Sequence, residues 1–325
     1  MRIGIYKDTL ANNRGADAAV KNLAAGLLER GHVVALFTKD EFVEKVCGDY
    51  DVVLSAGTNE VLDLAKVDGL PPIVLQFHTD PAYPFRHWMR RWRRNRAIRS
   101  AMRKCAAIQV LSEEHVAYVK RIAPELPTFA VGNWSAFGDS PPARAERLAG
   151  SGAQSAKHAV ICPAAINKDK NQKLLADAFR TIAADFPDWE VRFYGKGKPT
   201  FGPHPQMKLM GYADLAEPYA DCAFVAFPSK TEGFGLAIAD AAAFGKPCVM
   251  IRDWIGTCAV GGGIVTKPTA KAFAAGLRQL MADERLRQEM GERARAHCAE
   301  RHSRAKILDQ WEALLEKVRA SRSGG

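Results

Sequence analysis

Residues 223–250 read AFVAFPSKTEGFGLAIADAAAFGKPCVM, and a strand, a polar turn, a helix and a second strand are written into them in that order. AFVAFP (223–228) is a short apolar run closed by Pro228, and KPCVMI (246–251) is another. Between them Glu232-Gly233-Phe234-Gly235 opens a helical pattern over 235–244 that stops at Gly245. The first backbone N–H groups of such a helix have no intrahelical acceptor, and with the helix dipole they make a place for an anion. Gly233 and Gly235 let a ligand come close to the main chain. Glu232, just ahead of the helix, is placed to accept hydrogen bonds from a ligand, and Asp240 lies five residues beyond Gly235.

The pattern repeats on both sides of this stretch. HAVICP (158–163) and WEVRFYG (189–195) are further strands of the second half, with helical patterns at 170–185, 213–221, 235–244, 270–282 and 284–301. In the first half RIGIY (2–6), VVALF (33–37), DVVLS (51–55), PIVLQF (72–77), AIQVL (107–111) and PTFAV (127–131) are continuous apolar runs, as a parallel sheet covered on both faces requires. GADAAVKNLAAGLLERGH connects the first two, with Ala19, Leu23, Leu27 and Leu28 assigned to one face and Gly31 at the stop. A Pro-, Gly- and Ser-rich stretch joins the halves. The expected fold is α/β, with two facing Rossmann-like doubly wound parallel-sheet domains and a cleft between them. The expected divisions are 1–140, a linker at 141–157, 158–302, and a terminal helix at 303–320.

Composition narrows the class. The 325 residues are 47% hydrophobic and 25% charged, enough for two cores. No run of 18 apolar residues is present, so no spanning helix is expected, and the N-terminus reads as a first strand rather than a signal peptide. Seven scattered cysteines without a CxxC pair point to buried thiols in a reducing cytosol. The net charge is +10, and residues 86–104, RHWMRRWRRNRAIRSAMRK, carry nine cations and no acid. A local block of that kind speaks of a partner.

The central stretch resembles the E-x7-E signature of family 4 retaining glycosyltransferases of the GT-B fold, written E-G-F-G-L-x-x-x-E-A-x-A-x-G-x-P. This chain reads E-G-F-G-L-A-I-A-D-A-A-A-F-G-K-P, with Asp240 in place of the second Glu. The resemblance implies that Glu232 contacts the transferred sugar, that Asp240 holds the ribose, and that Gly233, Phe234, Gly235 and Leu236 line the donor site. NNRGADAAVKNLA (12–24) is similar to the family's phosphate-facing G-G-x-E loop, with Gly15 matching its second glycine and Arg14 replacing the first. His78, ending PIVLQFH, matches a histidine the family places beside the donor sugar. AAINKDKNQKLLADAF (164–179) is similar to the stretch that supplies an Arg and a Lys to the diphosphate; Lys170 matches the Lys, Ala165 stands at the Arg position, and Lys168 is the substitute. Gly195 joins the donor set. In the family the last helix crosses back onto the first domain. Read without the resemblance, Gly15 is equally a turn residue, His78 a strand-end histidine and Lys168 a solvated helix start.

Breaking an anomeric C–O bond leaves negative charge on the diphosphate and positive charge on the ring, and a catalyst must stabilise both. No Asp-x-Asp cluster is present in the donor stretches 158–251, and Asp49-Tyr50-Asp51 lies at the start of a first-half strand, so the expectation is metal-free catalysis without cofactor, by Glu232, His78 and Lys170, on a nucleotide diphosphate sugar. The resemblance implies retention of configuration and domain closure around the donor. Trp88, Arg90, Arg91, Trp92, Arg93 and Arg94 are assigned to an acceptor or membrane surface. Aromatics beside arginine suit an anionic membrane or a phosphate-bearing acceptor such as lipid-linked glycan or lipopolysaccharide core. The alternative for this block is a solvated basic face. No nucleic-acid motif accompanies it. The expected setting is the cytoplasm, at the inner face of the cytoplasmic membrane. Competing readings are a non-catalytic GT-B partner subunit, a sugar phosphorylase and a nucleotide-sugar epimerase.

Overall fold

In the computed structural model, which describes residues 1–10, 15–46, 48–82, 92–135, 137 and 158–321, the chain separates into two units. The expected linker, 141–157, lies outside the described residues. Unit 1 comprises Met1–Asn133 with Ala305–Gly325, and unit 2 comprises Trp134–Arg304.

Unit 1 is a six-stranded parallel sheet in the order β2-β1-β3-β4-β5-β6. The strands are β1 (Arg2–Tyr6), β2 (Val33–Phe37), β3 (Val52–Ser55), β4 (Ile73–Gln76), β5 (Ala107–Val110) and β6 (Thr128–Ala130). The three central strands β3, β4 and β5 are buried at every position, which is why they read as unbroken apolar runs. The helices are α1 (Gly15–Glu29), α2 (Phe42–Lys45), α3 (Thr58–Leu64), α4 (Trp92–Met102) and α5 (Glu113–Ile122). Helix α1 buries Val20, Leu23, Ala24 and Leu27, whereas Leu28 is 52% exposed and Ala19 only partly covered. The apolar stripe assigned from sequence is thus rotated: the 3.6-residue period runs 20, 23, 24, 27. Gly31, at φ +83°, ends the helix as expected: its N–H donates to the Leu28 carbonyl, and that of His32 to Leu27.

Unit 2 repeats the design in the order β12-β11-β10-β7-β8-β9. Its strands are β7 (Ala159–Pro163), β8 (Glu190–Tyr194), β9 (Met207–Gly211), β10 (Phe224–Phe227), β11 (Cys248–Met250) and β12 (Gly263–Val265). The edge strands β9 and β12 carry no sequence expectation. β9 exposes four of its five residues, so no buried run marks it, and β12 is three residues long. The helices are α6 (Gln172–Arg180), α7 (Ala216–Asp221), α8 (Leu236–Ala243), α9 (Ala270–Ala282) and α10 (Glu284–His302). The helix expected over 170–185 is broken at Thr181, and Ala183–Asp185 forms a separate 3-10 turn. Trp189, Phe193, Phe224, Phe273 and Leu277 form the core between sheet and helices.

The last helix, α11 (Arg304–Ala320), buries Ile307, Leu308, Trp311, Leu314, Leu315 and Val318 and belongs to unit 1. It lies so close to α1 that a Cβ on Gly26 would stand 2.7 Å from Leu308 Cδ2. Arg30 bridges Asp309 at 2.8 Å and Glu312 at 3.2 Å across the same contact. No helix among the described residues is long and apolar enough to cross a membrane.

Candidate active site

In a doubly wound sheet the connections diverge at one point, and the carboxyl ends of the flanking strands open a crevice there. In unit 2 that point falls between β7 and β10. The loops leaving these strands, 164–171 and 228–235, meet and are stitched together. The Lys230 N–H donates to the Asp169 carbonyl at 2.8 Å, and Asn171 Nδ2 donates to the Pro228 carbonyl at 3.3 Å. Across the join Lys170 Nζ donates to Glu232 Oε1 at 2.5 Å, and both side chains stay partly exposed. The two residues picked from motifs sixty-two positions apart therefore stand in one place.

Several residues that carry no motif hold this geometry. Asn167 Oδ1 accepts from the N–H groups of Asp169 and Lys170, at 3.0 and 2.9 Å, and turns the loop. Asn171 completes it at φ +56°. Gln172, buried, donates from Nε2 to the Ala165 carbonyl at 2.9 Å. The loop is then sewn to the end of β8: Ile166 pairs with Gly197, and the Ile166 N–H donates to the Lys196 carbonyl at 2.8 Å. Gly195 and Gly197, at φ +145° and +139°, are required by that approach, since a Cβ would fall 2.2 Å from the Ala164 oxygen and 2.1 Å from the Ile166 oxygen. Gly195, assigned to the donor from sequence, thus has a packing task beneath the loop.

Around the helix start, Gly235 adopts φ +88° and faces Trp254. Phe234 is buried, and its ring packs edge-on against His302. Leu236 and Asp240 are partly exposed on α8. Asp240 Oδ1 accepts from Ser135 Oγ at 2.8 Å, a partner 105 residues away. Lys168 is exposed on the loop before Lys170.

In unit 1 the divergence falls between β1 and β3. Gly15, at φ +57°, opens α1 with nothing within 4 Å of where a Cβ would sit. At the end of β1 lies a cluster no motif announced. Lys7, just after β1, donates to Glu60 Oε1 at 2.7 Å and Asp8 Oδ1 at 2.5 Å, with Glu60 only 2% exposed. Burial disfavours the Lys7 ammonium, but its bonds to Asp8 and Glu60 outweigh that and hold its pKa above the ordinary value. Both ring nitrogens of His78 are buried without a partner among the described residues. Burial first, then the nearby Lys7 charge, lowers its pKa to about 4, partly opposed by Asp17. His78 is neutral at pH 7, with a donor and an acceptor both unspent.

On α4 an inward stripe of Ile98, Ala101 and Met102 is buried, with Cys105 beyond the helix end. Trp92 is 50% exposed, so it is not a core residue. Arg93 is exposed beside it, and Arg94 reaches Asn59 Oδ1 at 2.5 Å. Trp88, Arg90 and Arg91 lie outside the described residues. Cys105, Cys162, Cys222, Cys248 and Cys298 are buried free thiols, and burial raises the pKa of each. Among the described residues no group of three or more His, Cys, Asp or Glu side chains could hold a metal ion.

Residues 157–283, which span both loops, match the family model described as "Glycosyl transferases group 1". A crystal structure of Anabaena Alr3699/HepE in complex with UDP and glucose superposes with a TM-score of 0.75, at 18% identity, covering 97% of this chain and 99% of that one. Sucrose-phosphate synthase from Thermosynechococcus elongatus gives 0.80 at 15% identity, covering 98% and 99%. An exopolysaccharide phosphotransferase of Streptomyces coelicolor is 26% identical over 175 residues, 49% of this chain and 18% of the relative, so the chain spans about a fifth of that protein's length. Residues 157–283 are thus similar to glycosyltransferase group 1 domains, and the architecture of the chain is GT-B.

Proposed function

We propose that this protein is a retaining, metal-independent glycosyltransferase of family 4, moving a hexose-type sugar from a nucleotide diphosphate sugar to a membrane-associated glycan or lipid-linked acceptor. The observation that carries the reading is the Lys170–Glu232 pair at the divergence of the unit 2 sheet, inside the matched domain. With no donor bound, the ammonium and carboxylate neutralise one another. When donor enters, its diphosphate takes over Lys170 and the amides near Gly233 and Gly235, and Glu232 is released to the sugar hydroxyls. Lys170 then meets the charge that grows on the leaving diphosphate, and Glu232 orients the ring that becomes cationic. Asp240, steadied by Ser135, serves the ribose, and the neutral His78 serves the sugar. UDP-sugars are the first donors to try, since the Anabaena protein was crystallised with UDP and with UDP-glucose. The exposed side of α4, with Trp92, Arg93, Arg96 and Arg99, is the surface suited to an anionic membrane or a phosphate-bearing acceptor.

The test is turnover. Glu232→Gln should lower transfer at least about a hundredfold, the scale of losing one preorganised transition-state contact, while nucleotide affinity changes little. Undiminished transfer would remove Glu232 from the site. In the same preparations, sedimentation with anionic vesicles checks the basic face, and an unchanged result after Arg93→Ala with Arg96→Ala would count against it. A second reading, a non-catalytic nucleotide- or sugar-binding subunit, is favoured by Ala165 where a second cation is expected. Binding of nucleotide without any turnover, with the acceptor supplied, would select it.

A further inference from the structure

The buried ring of Phe234 has an unusual neighbour. Its ring meets the imidazole of His302 edge-on, with centroids 5.1 Å apart and planes at 84°. His302 is the last residue of α10. Its Nε2 lies 3.2 Å from the Ile255 carbonyl oxygen, and His297 Nε2, one turn and a half earlier, lies 2.8 Å from the same atom. One carbonyl thus accepts from both imidazoles, which fixes the proton of each on Nε2. The segment that supplies this carbonyl is rigid. Asp253 accepts from the N–H groups of Ile255, Gly256 and Cys258, at 3.2, 2.9 and 2.7 Å. The same segment presents Trp254 to Gly235, where an added Cβ would stand 3.0 Å from the Trp254 Cβ. The turn carrying Glu232 is therefore gripped at two successive residues, Phe234 by His302 and Gly235 by Trp254.

We infer that His302 is a positioning residue for the Glu232 turn, acting through Phe234, with its ring pinned by the Ile255 carbonyl. The grip depends on the ring being neutral. His302 Nδ1 is buried and has no partner among the described residues, so a second ring proton would be stranded there. His302 also lines a cavity of about 20 Å³ with Ser135, Ala239, Arg295 and Cys298, room for about one water. The charged and titratable groups around it are Arg295, His297, Cys298 and Arg301 on α10, Asp253 on the facing segment, and Asp240 on α8, reached through Ser135. Burial lowers the His302 pKa below 6.5, against the Ile255 bond and Asp253, and with His297 and Arg301. A loosened turn takes up the proton more readily than a packed one. The grip is whole above about 6.5 and weakens as the pH falls below that value.

This inference rests on the donor reading only for its consequence in binding, and the experiment separates the two. Hydrogen–deuterium exchange over 229–238, corrected for intrinsic rates, is followed without ligand from pH 5 to 8 in wild type, His302→Ala and His302→Phe. Wild type should lose protection there toward pH 5. His302→Phe, which keeps the edge-on ring but cannot be protonated, should stay protected throughout, and His302→Ala should be unprotected even at pH 8. UDP binding to the same samples should be about two- to tenfold weaker for His302→Ala at pH 8, the worth of one aromatic pair, and restored in His302→Phe. Protection in His302→Ala equal to wild type, or the same pH response in His302→Phe as in wild type, overturns the inference. If exchange behaves as expected but no variant binds UDP, the donor reading falls and the positioning role stands.

Discussion

His78 shows how a single side chain can be found in the sequence for one reason and understood in the structure for another. Its place at a strand end and its likeness to a family histidine mark it, but nothing in the sequence says that both its nitrogens are buried without a partner. Nor does it say that the fold brings the Lys7 charge near enough to act on the ring. The folded pKa, about 4, lies below the unfolded value, so the unfolded chain binds the proton first as pH falls. Stability contributed by neutral His78 is complete above about 6.5 and is lost between there and about 4, up to about 3 kcal/mol at the lower end. Thermal melts from pH 7.5 to 4.5 should therefore fall less steeply for His78→Leu than for wild type, and parallel curves would mean that His78 is not buried neutral. Glu232 and Lys170 were legible because each sits in a patterned stretch. Ser135, Gln172 and His302 were not, since a residue whose task is to hold another is defined by a neighbour far along the chain.

At the level of elements, the site depends on how one loop is fastened. Loop 164–171 leaves β7 and is tied to the end of β8 through Gly195 and Gly197, where the backbones approach too closely for any side chain. Gly197→Ala places a Cβ 2.1 Å from the Ile166 oxygen at φ +139°, so both the contact and the local conformation are lost. The expected cost is about 3 kcal/mol or more, read as a lower urea midpoint with an unchanged slope. A midpoint equal to wild type would show that the loop is not fastened there. The buried parallel strands were readable because burial on both faces leaves continuous apolar runs. The edge strands β9 and β12 were not, because an exposed strand has no such run to show. The stripe on α1 was placed one position off for a related reason: Leu28 is apolar but sits at the rim, and composition alone does not separate rim from core.

For the whole molecule, two six-stranded parallel sheets, each with its divergence of connections, put two sets of chemical groups at strand carboxyl ends. The pattern of alternating strands and helices was enough to foresee that design, and α11 joins unit 1 although it follows unit 2 in the chain. What the pattern does not carry is the acceptor, because loops of irregular conformation choose it and loops have no period to read. The central claim is that the unit 2 crevice binds a nucleoside diphosphate through Lys170 without a metal. Titration calorimetry with UDP in the presence of EDTA, on wild type and Lys170→Ala, tests it most directly. Wild type should show saturable binding that survives EDTA, and the variant binding at least about tenfold weaker, as expected for loss of a charge-assisted contact. Equal affinity in the two proteins, or binding that EDTA abolishes, would contradict it.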